Sequence, residues 1–130
     1  MKSLNILVID DEKVICDACK MVLGEKGHRI DVCLNGISGQ AALKRKPYDI
    51  LLLDMKLPDI DGMEILMGIM DSQPAPCVVV MSGYSTLSNA LQAMKKGAAD
   101  YLAKPFTDDE LLEAVKKSCT TRTVRKSKGR

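Results

Sequence analysis

Five residues able to do ionic or nucleophilic chemistry stand at the ends of apolar runs. Asp10 and Asp11 follow "LNILVI" (4–9), Asp54 follows "ILLL" (50–53), Ser82 follows "CVVVM" (77–81) and Lys104 follows "ADYLA" (99–103). Carboxylates within about 4 Å of one another repel by about 4 kcal/mol per pair at an effective dielectric of about 20. Three of them gathered together therefore require that one be protonated or that a cation join them. An all-oxygen donor set without His or Cys suits a hard ion that keeps several waters, which points to Mg²⁺. A hydroxyl and an ammonium beside such a site are the groups a phosphoryl oxygen needs, and a carboxylate between them could be ligand, nucleophile or both. The plainer reading, acids capping a helix or solvated at loop starts, fits Asp10 or Asp11 singly but explains the five positions together poorly.

The elements that carry these residues must bring them to one edge. The apolar runs at 4–9, 30–34 ("IDVCL"), 50–53, 77–81 and 99–103 are separated by stretches of helical period. Ile15, Ala18, Cys19, Val22 and Leu23 share one face before Gly24 and Gly27, and Leu87, Ala90, Leu91 and Met94 repeat the pattern before Gly97. Pro47 stops the second helix, Gly62 to Met70 supplies the third, and Thr107 with Glu110 has capping-box spacing at the start of the last. Five alternations of strand and helix predict an α/β doubly wound, five-stranded parallel sheet covered on both faces, with five helices. Runs 4–9, 50–53 and 77–81 are almost uniformly apolar, as interior strands are, whereas Asp31 and Asp100 put the other two at the edges. The flavodoxin-like order 2-1-3-4-5 satisfies both conditions. All strands then exit at one rim, with the switch point between strands 1 and 3, and Asp54 lies between the strand 1 acids and the Ser82/Lys104 pair.

Composition narrows the function classes. With four aromatics (Tyr48, Tyr84, Tyr101, Phe106) in 130 residues, the chain has little to offer as a stacking platform for bases or a planar cofactor. No apolar run approaches the roughly 20 residues that span a bilayer, and no leader pattern opens the chain, so a cytoplasmic domain with no membrane contact is expected. Of 19 basic residues, Arg122, Arg125, Lys126, Lys128 and Arg130 fall in the last eleven positions, which hold no acid; the other 14 face all 17 acids. The expected organisation is one mildly acidic domain over 1–119 and a basic tail, or the start of a linker, over 120–130. A nucleic-acid contact is the weaker reading of that tail.

The segments "ILVIDDE", "DILLLDMKLPDIDGMEIL", "VVVMSGYS" and "AADYLAKPF", in this order and spacing, resemble the response regulator receiver (CheY-like) family of two-component signalling over residues 4 to about 119. "DYLAKPF" is most similar to receivers of the nitrogen-regulatory transcription-factor group, which usually continue into an ATPase and a DNA-binding module. The resemblance implies that Asp54 is the phospho-acceptor, that Asp11, Asp54 and the Lys56 backbone carbonyl ligate Mg²⁺, and that Asp10 acts through water. It further implies that Ser82 and Lys104 bind the phosphoryl group, that Ser82 and Tyr101 form the switch, and that Lys104-Pro105 is a cis candidate. The implied partners are a histidine kinase and an output domain or protein on the helix 4–strand 5–helix 5 face, with a homodimer possible. The expected role is a phospho-accepting switch, not an enzyme that turns over an external substrate, and no direct nucleic-acid contact is expected of this domain.

Other features compete. "CDAC" (16–19), with His28, Cys33 and Cys77, invites a zinc or redox reading, but Cys16 lies a turn into its helix behind the acidic "DDEK", which raises a thiol pKa. Buried small hydrophobes explain the cysteines better, and His28 reads as an exposed turn residue. Haloacid-dehalogenase phosphatases also form aspartyl phosphates, but use a D-x-D frame after strand 1, and "DDE" lacks its second Asp. FMN binding would need hydroxyl- and Gly-rich contacts where "DDEK" stands. Lys56 and Tyr84, two residues past Asp54 and Ser82, are expected to flank the route of hydrolytic water, with ordinary surface side chains as the alternative.

Overall fold

The computed structural model of the chain describes residues 2–72, 74–83 and 87–128, with side chains as far as Ser118. Strands and helices alternate as β1 (Asn5–Ile9), α1 (Lys13–Glu25), β2 (Arg29–Cys33), α2 (Gly36–Arg45), β3 (Ile50–Asp54), α3 (Gly62–Met70), β4 (Cys77–Ser82), α4 (Leu87–Lys95), β5 (Asp100–Ala103) and α5 (Asp108–Lys128). All strand pairs are parallel, in the order β2-β1-β3-β4-β5. The expected doubly wound, CheY-like fold is the one found.

Side chains alternate across the sheet with period two, so each interior strand feeds both layers of the core. Ile6, Val8, Ile50, Leu52, Val79 and Met81 pack under α1 and α5 against Cys16, Cys19, Leu23, Leu111 and Val115. Leu7, Ile9, Leu51, Leu53, Val78 and Val80 pack on the other face against Ala42 of α2, Ile65 and Leu66 of α3, and Ala90 and Ala93 of α4. Burial on both faces is why β1, β3 and β4 are apolar between their end residues Asn5, Asp54 and Ser82. The edge strands β2 and β5 are partly exposed. At β2, Tyr48 donates a 2.6 Å hydrogen bond to Asp31 and Lys46 pairs with the same carboxylate at 2.9 Å, which blunts the open edge.

Register fixes the rim. Ile9 pairs with Leu53, Asp54 with Met81 and Ser82 with Ala103, so the residues at the carboxyl ends of β1, β3, β4 and β5 fall at nearly one level. Helix starts are capped locally: Asn35 accepts from Ser38 N–H, Asp61 accepts from Met63 N–H, and Thr107 and Glu110 exchange reciprocal hydrogen bonds of 2.8 and 3.1 Å. Gly27 takes a φ of 89° in the turn after α1, a conformation that side chains with a Cβ avoid.

Three details refine the sequence reading. His28 is buried, not exposed: its Nδ1 accepts a 3.1 Å hydrogen bond from Leu4 N–H, and the chain start folds over it to satisfy an otherwise orphaned donor. Cys16, Cys19 and Cys77 are buried as small hydrophobes. Helix α5 continues to Lys128, carrying helical backbone into the basic segment. Among the described residues, no helix is long and apolar enough to cross a membrane.

Candidate functional site

Asp54 is the last residue of β3 and Asp10 the first beyond β1, so interior strands deliver both carboxylates to the rim already buried, at 4% and 0% exposure. Glu12, at the start of α1, turns back toward them. One carboxylate oxygen from each of Asp10, Glu12 and Asp54 lies within 4.8 Å of the other two. The backbone orders this cluster: Glu12 N–H donates to Asp10 Oδ1 at 2.8 Å, and Lys56 N–H donates to Asp54 Oδ1 at 3.1 Å. A cleft of about 350 Å³ opens above it, lined among others by Asp11, Asp54, Lys56, Gly83 and Lys104.

Lys104 balances part of the charge. Its Nζ stands 2.7 Å from Asp10 Oδ2, 2.7 Å from Glu12 Oε1 and 3.5 Å from Asp54 Oδ2. The Lys104–Pro105 peptide is cis. Burial works against the lysine's charge, but Asp10, Glu12 and Asp54 outweigh it and raise its pKa above the ordinary lysine value. Asp54 is pushed up to about 6, first by burial and then by Asp10; the Lys56 N–H opposes the shift. A carboxylate so destabilised in its ionised form gains most from a further cation. The donor set is all oxygen, matching a hard ion such as Mg²⁺.

Ser82 ends β4, one residue past the Met81 that pairs with Asp54, and its buried hydroxyl has no hydrogen-bond partner among the described residues. Lys104 N–H donates to Ser82 O at 2.8 Å, tying the ends of β4 and β5 together.

A model of the response regulator receiver domain matches residues 6–116 of the chain. The chain belongs to the response regulator receiver family. Receivers act in two-component signalling as phospho-switches, not as enzymes. Among curated relatives, a putative NtrX-like response regulator of Rickettsia felis is 35% identical over 121 residues, covering 92% of this chain and 26% of that protein. The transcriptional regulatory protein ZraR of Klebsiella oxytoca is 34% identical over 110 residues, covering 85% and 25%. This receiver thus spans about a quarter of the length of these relatives. Among solved structures, NtrX of Brucella abortus superposes with a TM-score of 0.92 at 28% identity, covering 98% of this chain and 30% of that one. A receiver domain protein of Clostridium thermocellum superposes at 0.86 with 32% identity, covering 93% and 98%.

Of the residues singled out from sequence, Asp10, Asp54, Ser82 and Lys104 come together in this receiver as the topology requires. Asp11 lines the same cleft but is exposed and lies outside the tight acidic cluster. Glu12 takes that place, and the sequence reading missed it. The signal was available: two residues past Asp10, at the helix start, an acid is carried back over the rim. Tyr101 lies on the edge strand β5, 37% exposed. Tyr84 lies outside the described residues. The thiols sit below the site and are not activated: burial, then Asp10, raises Cys16 to about 11, and burial raises Cys19 to about 12.

Proposed function

We propose that Asp54 of this receiver accepts a phosphoryl group from the phosphohistidine of a histidine kinase. The observation that carries the reading is the placement of Asp54: a buried carboxylate at the rim whose pKa is already raised, 3.5 Å from the Lys104 ammonium and within 4.8 Å of two further acids. An Asp54 carboxylate oxygen attacks phosphorus, the phosphorus–nitrogen bond breaks, and the departing imidazole keeps the electron pair and takes a proton. Lys104 and Ser82 receive the phosphoryl oxygens. Asp10, Asp11, Glu12, Asp54 and the Lys56 backbone carbonyl are the groups to hold Mg²⁺, which when bound would offset the negative charge of donor and acceptor.

The phosphoryl group adds about −1.5 to −2 charges to an acidic pocket, so it must draw its counter-charges toward itself. Ser82 and Lys104 follow it, and the displaced β4 end gives Tyr101 room to turn inward. The signal leaves through the α4–β5–α5 face. Leu87, Leu91 and Tyr101, exposed large side chains on α4 and β5, suit that face to contact an output domain, a partner or a second copy. Residues 1–119 are the functional receiver unit, and the basic segment 120–130 leads out of it.

Incubation with acetyl phosphate and Mg²⁺, followed by intact-mass measurement, tests the assignment. One phosphoryl mass that hydroxylamine removes is expected, with none on Asp54→Asn. A mass gain that survives that replacement would refute it.

A further inference from the structure

The loop from Met55 to Asp61, joining β3 to α3, forms one wall of the acidic cleft through Lys56, Leu57 and Pro58. Both of its ends are fixed. Lys56 N–H holds Asp54 Oδ1, Lys56 bridges Asp61 in an isolated antiparallel pair, and Gly62 packs so tightly that an added Cβ would lie 2.8 Å from Met55 Cα. The tip is tied to a different element. Asp59 accepts two 2.8 Å hydrogen bonds from the start of α2, through Oδ1 from Gly36 N–H and through Oδ2 from Ile37 N–H.

Asn35 already provides α2 with a local cap through Ser38 N–H, so Asp59 is a second acceptor, brought in from the β3–α3 loop. The fit is close on both sides, since a Cβ on Gly36 would stand 3.1 Å from Ile60 Cβ and 3.2 Å from Asp59 Oδ1. Helix α2 in turn presses on the strand that ends in the acids: a Cβ on Gly39 would lie 2.8 Å from Ile9 Cγ1, and Ile9 precedes Asp10. The contacts close a ring that runs from Asp10 through Ile9, α2, Asp59 and Lys56 to Asp54. Of its links, the Asp59 fork is the one made by an exposed side chain.

We propose that Asp59 is a positioning residue for the divalent cation site: it latches the β3–α3 loop to α2 and so fixes the Lys56 backbone that orients the Asp54 carboxylate. This rests on reading the acidic cluster as the receiver's metal and phosphorylation site. Asp59 touches neither the cation nor the phosphoryl group. It acts through Lys56, and its loss lets the loop wall and the Asp54 oxygen drift together.

The test titrates the full chain with Mg²⁺ alone, followed by amide NMR, and compares wild type with Asp59→Ala, Asp59→Asn and Asn35→Ala. Asp59→Ala is expected to weaken Mg²⁺ by about tenfold, as loss of an outer hydrogen-bond support does at other metal sites. Asp59→Asn keeps one acceptor oxygen and should weaken binding less. Asn35→Ala removes a cap from the same helix without touching the loop; its thermal midpoint should fall with Mg²⁺ affinity unchanged. With acetyl phosphate, saturating Mg²⁺ should restore the phosphorylation rate of Asp59→Ala. Wild-type affinity in both Asp59 variants, or equal weakening in Asn35→Ala, would overturn the latch while leaving Asp54 phosphorylation standing. A wild-type chain that binds no Mg²⁺ and gains no phosphoryl mass would overturn the site reading itself.

Discussion

Glu12 and Lys104, 92 positions apart in the chain, meet through a hydrogen bond of 2.7 Å. The same ammonium is equally close to Asp10 and farther, at 3.5 Å, from Asp54. The lysine is thus held on the β1 side of the cleft. Glu12→Gln keeps the shape and removes one negative charge. Mg²⁺ affinity should fall roughly fivefold, or about 1 kcal/mol for a half-exposed acid, in an NMR titration. Unchanged affinity would make Glu12 a partner of Lys104 alone.

Gly62 admits no side chain, because the atoms a Cβ would meet are backbone: Met55 Cα at 2.8 Å and Asp54 O at 3.0 Å. Backbone cannot rotate away as a side-chain end can. Gly62→Ala should cost about 1 to 3 kcal/mol in urea unfolding. Phosphorylation should slow as well, since the displaced atoms belong to Asp54 and its neighbour. Wild-type stability would mean that the loop gives way without strain.

His28 must be neutral to accept the Leu4 N–H, and burial lowers its pKa below 6.5. The unfolded chain then takes up the proton first as pH falls. The stability His28 contributes is complete above about pH 6.5 and is lost as pH drops through the folded pKa. His28→Gln, which offers an acceptor that does not titrate in this range, should remove this pH dependence, so that its stability deficit relative to wild type shrinks between about pH 7 and 5. Thermal melts of both chains in EDTA check this. Parallel curves would show that His28 takes up its proton equally in the folded and unfolded chains.

Thiol chemistry at Cys16 and Cys19 should be suppressed in the native chain. With Cys16 raised to about 11 and Cys19 to about 12, each largely by burial, little thiolate exists near neutral pH. Brief iodoacetamide treatment should leave the peptide carrying both unmodified, and denaturant should expose it to full alkylation. Native labelling at these two positions would show that α1 opens readily.

The fold was legible because its signals are cumulative. Uniform apolar runs at β1, β3 and β4 specified interior parallel strands, and the acids in β2 and β5 specified edges. From that order the meeting of Asp10, Asp54, Ser82 and Lys104 followed, since one rim is the only place four parallel strands can deliver their ends. Contacts set by loop geometry were not legible. Glu12, not Asp11, joins the tight cluster through its N–H to Asp10 Oδ1 and its ion pair with Lys104, contacts at which its position two residues past Asp10 only hinted. Asp59 reaches Gly36 through a loop whose path depends on Gly62 lying flat on Met55. His28 looked like a turn residue because nothing local shows that the Leu4 amide would need an acceptor.

The division between strand ends and loops has a corollary. Asp54 and Ser82 are embedded in the middle of the sheet, where any exchange disturbs two neighbouring strands, while Glu12, Lys56 and Gly83 border the same cleft from outside the strands. Under the proposed function, exchanges at Lys56 or Gly83 would alter what surrounds a phosphoryl group on Asp54 while leaving the strand-borne acceptor itself in place.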